Sequence, residues 1–188
     1  MLKSMAGTVA LLVLLSTPTL IGQAPAAPKQ PRGAAVDVSH ETFQATVKKM
    51  TAAVSDIQLR VVGIENQPNI GIGVVRRTKP GGANSIEHSQ ITEIYYDTEG
   101  TATLVTGGTM ENPREAAADS QVVTVLNGPS TSGGKVGGGV SRTLTVGDVV
   151  VIPPNTPHWF SEITSDQIVY LVVRVDPNKA LPAGYVAK

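Results

Sequence analysis

Between residues 57 and 175 the chain consists of short runs rich in β-branched and aromatic residues, and turn residues separate nearly all of them. Such runs favour strands, because branched side chains suit a pleated surface. Many short strands at near-regular spacing, with a single helix before them, indicate an all-β antiparallel sandwich or barrel. The predicted strands cover residues 57–64, 70–76, 86–97, 101–106, 121–126, 142–145, 149–152, 158–163 and 168–175.

One helix is predicted before the strands, over residues 39–55. Ser39 suits the N-cap position, and Glu41 lies in the first turn, where a negative charge is favourable. Apolar residues then recur at helical spacing, at Phe43, Val47, Met50 and Val54. We expect this helix to cover one side of the sheet.

Two stretches interrupt the series of strands. Residues 111–120 are polar and rich in alanine, which favours a loop or a single helical turn. Residues 128–139 are rich in glycine and are predicted to form a loop or a β-excursion, as a passive surface loop or as a lid over a pocket. The final residues, 176–188, contain two prolines and are predicted to form an extended C-terminal tail.

The first 26 residues have the pattern of a secretory signal peptide. Lys3 is followed by an apolar stretch and then by the small residues Ala24 and Ala26, so we expect cleavage after Ala26. An uncleaved membrane anchor is the alternative, although Pro18 interrupts an already short run. The mature protein is therefore expected to be secreted or periplasmic in a bacterium, without a membrane span, and residues 27–38 to form a flexible leader.

Composition excludes several classes of function. The chain has no cysteine, which excludes disulfides, thiolate nucleophiles and cysteine-ligated metal centres. Its 15 basic and 15 acidic side chains give no net charge and form no basic run. Nucleic-acid binding is therefore not expected, because it requires a basic face. Any metal ion would have to be held by histidine, carboxylate or amide groups.

Two segments, residues 87–100 and 147–160, contain the candidate chemistry. Two of the three histidines of the chain, His88 and His158, lie in these segments. Side chains two apart share a strand face, so Gln90 would join His88 directly, whereas Glu93 is five residues away and would need a bulge.

The later segment resembles the second motif of the cupin superfamily. Gly147, Pro153 and His158 stand at the intervals of that motif. Asn155 stands where the family usually has glycine, and asparagine tolerates the left-handed turn better than most residues. The resemblance implies an antiparallel double-stranded β-helix, the jelly-roll or cupin barrel, over residues 57–175. The helix and an insertion at about residues 107–140 lie outside the pattern.

The earlier segment resembles the first cupin motif in part. The interval from Glu93 to Gly100 matches, but one histidine of the family's His-x-His pair is missing. If His88 is the second of the pair, Ile86 replaces the first. If His88 is the first, Gln90 replaces the second and the gap to Glu93 is short. We favour the former register, because it keeps both intervals that involve Glu93.

The resemblance implies a site for a divalent metal ion, with His88, Glu93 and His158 as ligands. Gln90 is an additional weak oxygen donor in this interpretation, and Tyr95 could hydrogen-bond a ligand. Two imidazoles and one carboxylate suit Fe²⁺ with open positions, and the same set would accept Mn²⁺, Ni²⁺ or Zn²⁺. The alternative is a metal-free pocket in which the histidines and the carboxylate only hydrogen-bond.

Neighbouring residues leave further alternatives open. Of Tyr95 and Tyr96, strand alternation turns one inward and the other outward. Arg76 and Arg77 could place a guanidinium at a pocket for an anionic substrate. We prefer to interpret them as solvated charges at a sheet edge.

Three functions from different classes remain. The first is a metal-dependent enzyme that acts on a small organic molecule, such as a dioxygenase, isomerase or lyase, with Glu93 as ligand or catalytic base. The second is a binding module that captures a sugar or an aromatic acid without turnover. The third is a partner-binding barrel, in which residues 168–175 form an edge strand of a homodimer. A buried core strand is the alternative for that run.

Overall fold

The computed structural model describes residues 34–79 and 84–188. The predicted signal peptide, its cleavage site and most of the leader lie outside the described residues. Within the described residues, no helix is both long and apolar enough to cross a membrane.

The structure is built mainly from antiparallel strands, which confirms the predicted all-β class. Residues 34–79 and 84–188 contain eleven strands: β1 (Val54–Val62), β2 (Asn69–Thr78), β3 (Ser85–His88), β4 (Thr92–Thr106), β5 (Thr109–Met110), β6 (Arg114–Glu115), β7 (Ser130–Gly133), β8 (Val136–Gly137), β9 (Val140–Thr145), β10 (Val149–Ile152) and β11 (His158–Asp176). Among the described residues, every pair of strands is antiparallel.

The long strands β4 and β11 pair with each other and curl the main sheet into a jelly-roll barrel. The first part of β4 pairs with β10, and the part after Gly100 pairs with β9. Gly100 has a φ of 90°, and a Cβ there would collide with the carbonyl oxygen of Gln167 on β11. Glycine therefore allows β4 to pass from one side of the barrel to the other without a break.

The helix α1 spans His40–Lys49. The Ser39 side chain accepts a hydrogen bond from the Thr42 backbone N–H at 3.1 Å, as expected for an N-cap. The helix ends before the predicted boundary at residue 55, because Met50 takes an extended conformation and is itself buried. Phe43 and Val47 pack on the sheet around Met50, Leu59, Val74 and Val169.

Two strands predicted separately are joined in the structure. The predicted runs 158–163 and 168–175 form the single strand β11, because the chain continues through an irregular pairing with β4. Residues 168–175 pair with β2 on one side and β4 on the other, so this run is an inner strand and not an edge strand. A homodimer would therefore have to use another surface.

Arg76 and Arg77 also lie on an inner strand, because β2 is paired on both sides by β1 and β11. The interpretation of these residues as edge charges was wrong. Arg76 donates hydrogen bonds to the side chain of Gln167 and to the Met50 carbonyl, whereas Arg77 points into the barrel.

The predicted strand over residues 121–126 was also wrong, since Val122–Asn127 forms a short π-helix. The Ser120 carbonyl accepts hydrogen bonds from the backbone N–H and the hydroxyl of Thr124, each at 2.9 Å. Hydrogen bonds within the segment thus replace the hydrogen bonds to a neighbouring strand that a β-strand would need. Leu126 and Asn127 are buried in this conformation. The β-branched composition favours a strand, but tertiary packing decides otherwise.

The inserted segment and the tail both pack against the barrel. Residues 128–139 form a β-excursion, in which β7 pairs with β3 and β6. The C-terminal tail lies along β1, where the Val61 N–H donates to the Tyr185 carbonyl at 3.0 Å. Leu181 is only 2% exposed, so the tail is part of the packed structure.

Candidate metal centre

Three predicted ligands meet inside the barrel. His88 ends β3, Glu93 lies near the start of β4, and His158 begins β11. Their potential ligand atoms lie within 4.8 Å of one another. The Nε2 atoms of both histidines are 3.4 Å from Oε2 of Glu93, and all three residues are buried.

The backbone brings His88 and Glu93 together by a different route from the predicted bulge. The chain bends after His88 and enters β4 as a separate strand, so continuous alternation does not apply. Asn155 supports this end of β3, because its N–H donates to the His88 carbonyl at 2.8 Å. Its φ of 58° confirms that asparagine takes the left-handed turn usually given to glycine.

Hydrogen bonds fix the orientation of both imidazoles. Nδ1 of His158 donates to the Thr156 carbonyl at 3.0 Å. Nδ1 of His88 lies 2.8 Å from Ser130 Oγ, which itself donates to the Gly128 carbonyl at 2.8 Å. Ser130 therefore accepts from His88. These hydrogen bonds use the Nδ1 proton of each imidazole, and Nε2 of each ring is the nitrogen that faces Glu93.

His158 is neutral at physiological pH. Burial lowers its pKa to about 4, although the neighbouring Glu93 carboxylate acts in the opposite direction. Its Nε2 is buried and has no hydrogen-bond partner among the described residues. A buried acceptor without a partner is costly, and a neutral imidazole is the form that binds metal ions.

Glu93 is held as a carboxylate. Burial alone would raise its pKa, but the neighbouring His88 imidazole and the positive charge of Arg174 hold that pKa well below the usual range. Tyr95 Oη donates to Oε2 of Glu93 at 2.7 Å, and Arg174 Nε donates to Oε1 at 3.2 Å. Burial and the Glu93 charge raise the Tyr95 pKa well above its usual value, so this tyrosine stays a donor.

Arg174 is the main supporting residue that sequence reasoning missed. It is fully buried on β11, and its guanidinium also donates to Asp56 Oδ2 at 2.6 Å and to Gln58 Oε1 at 2.7 Å. Burial would lower its pKa, but the carboxylates of Asp56 and Glu93 raise it further. The available signal was a charge at an inward position of an otherwise apolar run.

A small cavity of about 160 Å³ opens beside these residues. Ile86 lines it next to His88, which agrees with the register in which Ile86 replaces the first histidine of the pair. Gln90 lies in the bend after His88 and is not among the residues that line the cavity, so the structure does not bring it to the cluster. Tyr95 turns inward and is 4% exposed, whereas Tyr96 turns outward and is 46% exposed.

Comparison with known families agrees with this architecture. A family model described as Cupin matches residues 42–184. The chain belongs to the cupin family. In this cupin, the two segments that resemble the family's motifs supply the buried His–Glu–His cluster. No curated protein matches the chain.

The chain is similar to several solved structures at low sequence identity. The vicilin of Solanum melongena is 18% identical and gives a TM-score of 0.39, with 58% of this chain covering 24% of that chain. The DMSP lyase DddQ of Ruegeria pomeroyi is 17% identical with a TM-score of 0.41, over 74% of this chain and 56% of that one. A Cupin 2 conserved barrel domain protein of Salinispora arenicola is 22% identical with a TM-score of 0.39, over 65% and 76%. This chain thus spans about a quarter of the vicilin and about half of the lyase.

Proposed function

We propose that His88, Glu93 and His158 bind a divalent metal ion and that the protein acts on a small organic molecule beside it. The observation that carries the proposal is the meeting of three electron-pair donors, with Nε2 of each histidine 3.4 Å from the same carboxylate oxygen. Two imidazole nitrogens and a carboxylate oxygen that face one another suit a divalent cation. Fe²⁺, Mn²⁺, Ni²⁺ and Zn²⁺ all accept this ligand set.

The surrounding residues support this role. Ser130 and the Thr156 carbonyl orient the two imidazoles, as outer-shell groups do in metal sites. Arg174 and Tyr95 keep Glu93 ionised and in place. Because the Glu93 pKa lies well below neutrality, Glu93 suits a ligand better than a general base, whose pKa should lie near the working pH.

A bound divalent ion would supply Lewis acidity toward a substrate oxygen. The side chains that line the cavity would bind and orient the substrate beside the metal ion. Ile86 presents an apolar side chain where the family has a further histidine, which leaves the cluster with three protein ligands and room for a substrate group. This is consistent with oxygenase, isomerase or lyase chemistry.

The size of the cavity favours a small substrate over the alternative of sugar or aromatic-acid capture. Pockets for drug-sized ligands enclose about 300–1,000 Å³. The cavity here encloses about 160 Å³, which suits a molecule smaller than a hexose or an aromatic acid.

The first test is metal analysis of protein purified without chelator or affinity tag. We expect close to one equivalent of a transition metal in the wild type, and loss of that metal in His158→Gln but not in His40→Gln, since His40 is exposed on α1. Less than about a tenth of an equivalent, even after incubation with each candidate ion, would contradict the proposal. Oxygen uptake and product mass with small-molecule substrates then distinguish an enzyme from a binding protein.

We also propose that the protein is secreted or periplasmic, on the basis of the pattern in residues 1–26. Mass spectrometry of the protein from its own cells should give an N-terminus at Ala27. An intact N-terminus on protein that stays in the cytoplasm would contradict this.

A further inference from the structure

The cavity contains a second arginine whose charge the metal site does not use. Arg77 lines the cavity from β2, and its Nε donates to Tyr170 Oη at 3.1 Å. The guanidinium carbon lies 5.1 Å from the centre of the Phe160 ring. These two contacts orient the guanidinium, while the hydrogen bond uses one of its five N–H donors.

The two arginines of the cavity differ in their partners. Arg174 forms ion pairs with Asp56 and Glu93. In the part of the chain that the structure describes, the remaining ion pairs join Glu93 to the two histidines, and none involves Arg77. The positive charge of Arg77 is therefore available to a ligand in the cavity.

The charge balance of the cavity gives the sign of that ligand. Two carboxylates, Asp56 and Glu93, balance the two arginines, and imidazoles that bind a metal ion do so in their neutral form, so His88 and His158 add no charge to a loaded site. A divalent cation would leave the cavity with an excess of two positive charges. Buried charge of one sign is costly, so a loaded site should bind an anion.

A second polar group in the cavity also lacks a partner. Asn127, at the end of the π-helix, is 5% exposed, and its Oδ1 has no hydrogen-bond partner among the described residues. A buried amide oxygen of this kind accepts a hydrogen bond from a ligand hydroxyl. The cavity thus offers one group for an anion and another for a hydroxyl.

We infer that the substrate is a short hydroxycarboxylic acid, whose carboxylate pairs with Arg77 and whose hydroxyl reaches Asn127. The inference rests on the proposed metal site, because the excess positive charge comes from the metal ion. An arginine fork binds a carboxylate through two parallel hydrogen bonds. The cavity of about 160 Å³ limits the acid to a few carbons.

The test uses the full mature protein loaded with Zn²⁺, which cannot undergo redox turnover, and isothermal titration calorimetry. Zn²⁺ binding is measured first, so that failure of the metal site is seen separately. Glycolate should then bind at least about tenfold more tightly than glycolamide, which has the same shape without the charge. Mandelate, an aromatic hydroxy acid, should not bind because it exceeds the cavity.

Arg77→Met tests the residue itself. Glycolate affinity should fall by about ten- to a hundredfold, while Zn²⁺ binding is retained. Arg142→Met removes the same charge from an exposed position and should leave glycolate affinity unchanged. If Arg77→Met does not fold, Arg77→Lys takes its place, and we expect an intermediate loss because lysine keeps the charge but lacks the fork.

Two sets of results would overturn the inference while leaving the metal site standing. One is Zn²⁺ binding with equal affinity for glycolate and glycolamide, or glycolate affinity that Arg77→Met does not change. The other is inorganic phosphate or mandelate binding as tightly as glycolate, since the site would then recognise neither a carboxylate nor a small ligand. If Zn²⁺ itself does not bind, both the proposed function and this inference fail.

Discussion

The inward faces of β4 and β11 build two different interiors in one barrel. Beyond Gly100, β4 turns Ala102 and Leu104 inward, and both are fully buried. Before Gly100, the same strand turns Glu93 inward, beside Arg174 of β11, and these are 2% and 0% exposed. The side chains of both regions are equally inaccessible to solvent, although one region is apolar and the other contains charges.

The charged interior is less favourable for folding stability than the apolar one, and it is the region that contains the proposed metal site. Apolar burial stabilises the first region by roughly 25 cal/mol for each Å² removed from water. In the second region every buried charge costs desolvation free energy, and the ion pairs of Arg174 only offset that cost. Polar atoms left without partners, such as His158 Nε2 and Asn127 Oδ1, mark where a ligand would complete the region.

The largest effect should come from breaking the charged interior. Arg174→Met would leave the buried carboxylate of Glu93 and the partly buried carboxylate of Asp56 without this partner. We expect the free energy of unfolding of the metal-free protein to fall by about 3–5 kcal/mol, measured by urea denaturation at pH 7. The control Arg142→Met, at an exposed position, should change it by less than about 0.5 kcal/mol. A loss below about 1 kcal/mol at Arg174 would contradict the view that these charges depend on one another.

Breaking the apolar interior should separate stability from the site. Leu104→Ala removes buried methyl groups from a side chain that is not one of the proposed metal ligands, and we expect the free energy of unfolding to fall by about 3 kcal/mol in urea denaturation. The folded variant should still bind one metal ion with wild-type affinity. Val149→Ala, at a side chain 61% exposed, should cost less than about 0.5 kcal/mol. Loss of metal binding in folded Leu104→Ala would show that the two interiors are coupled.

The fold could largely be predicted because local patterns and topology agree. Alternation along β11 and the turn residues around each strand indicate an antiparallel barrel before any contact is known. The sequence could not show that β4 continues through Gly100, because that depends on the close approach of Gln167. Nor could it show the π-helix at Val122–Asn127, where burial of Leu126 overrides β propensity.

For the site, the predictable residues were those within motifs. His88, Glu93 and His158 meet as predicted, since the two motif segments have characteristic spacing. The residues that hold Glu93 come from elsewhere: Arg174 and its partner Asp56 are 118 positions apart and belong to no motif. Only the folded sheet brings such residues together, and single-sequence spacing contains no record of that contact.

A smaller effect should come from loosening one proposed metal ligand of the charged interior without changing a charge. Ser130→Ala removes the oxygen that orients the His88 ring. We expect Zn²⁺ affinity to weaken by about tenfold, as for other outer-shell partners, in a competition titration with a chromophoric chelator. Ser132→Ala on the same strand should leave the affinity unchanged, because Ser132 pairs with Ile86 and Arg114 through the backbone. Equal affinity in Ser130→Ala and the wild type would show that the ring is held by packing alone.

The smallest effect concerns Asp97, which lies on β4 between the two interiors and is 1% exposed. Burial raises its pKa to about 6, and the hydrogen bond from the Glu99 N–H only partly opposes this. The native state therefore binds more protons than the unfolded state between about pH 4 and pH 6, and stability contributed by the protonated form is lost as the pH rises through 6.

Asp97→Asn should increase the free energy of unfolding by about 1 kcal/mol at pH 7.5 and have little effect at pH 4, in parallel urea denaturations. Asp119→Asn, at an exposed position, should show no such pH dependence. An equal effect of Asp97→Asn at both pH values would contradict the raised pKa of Asp97.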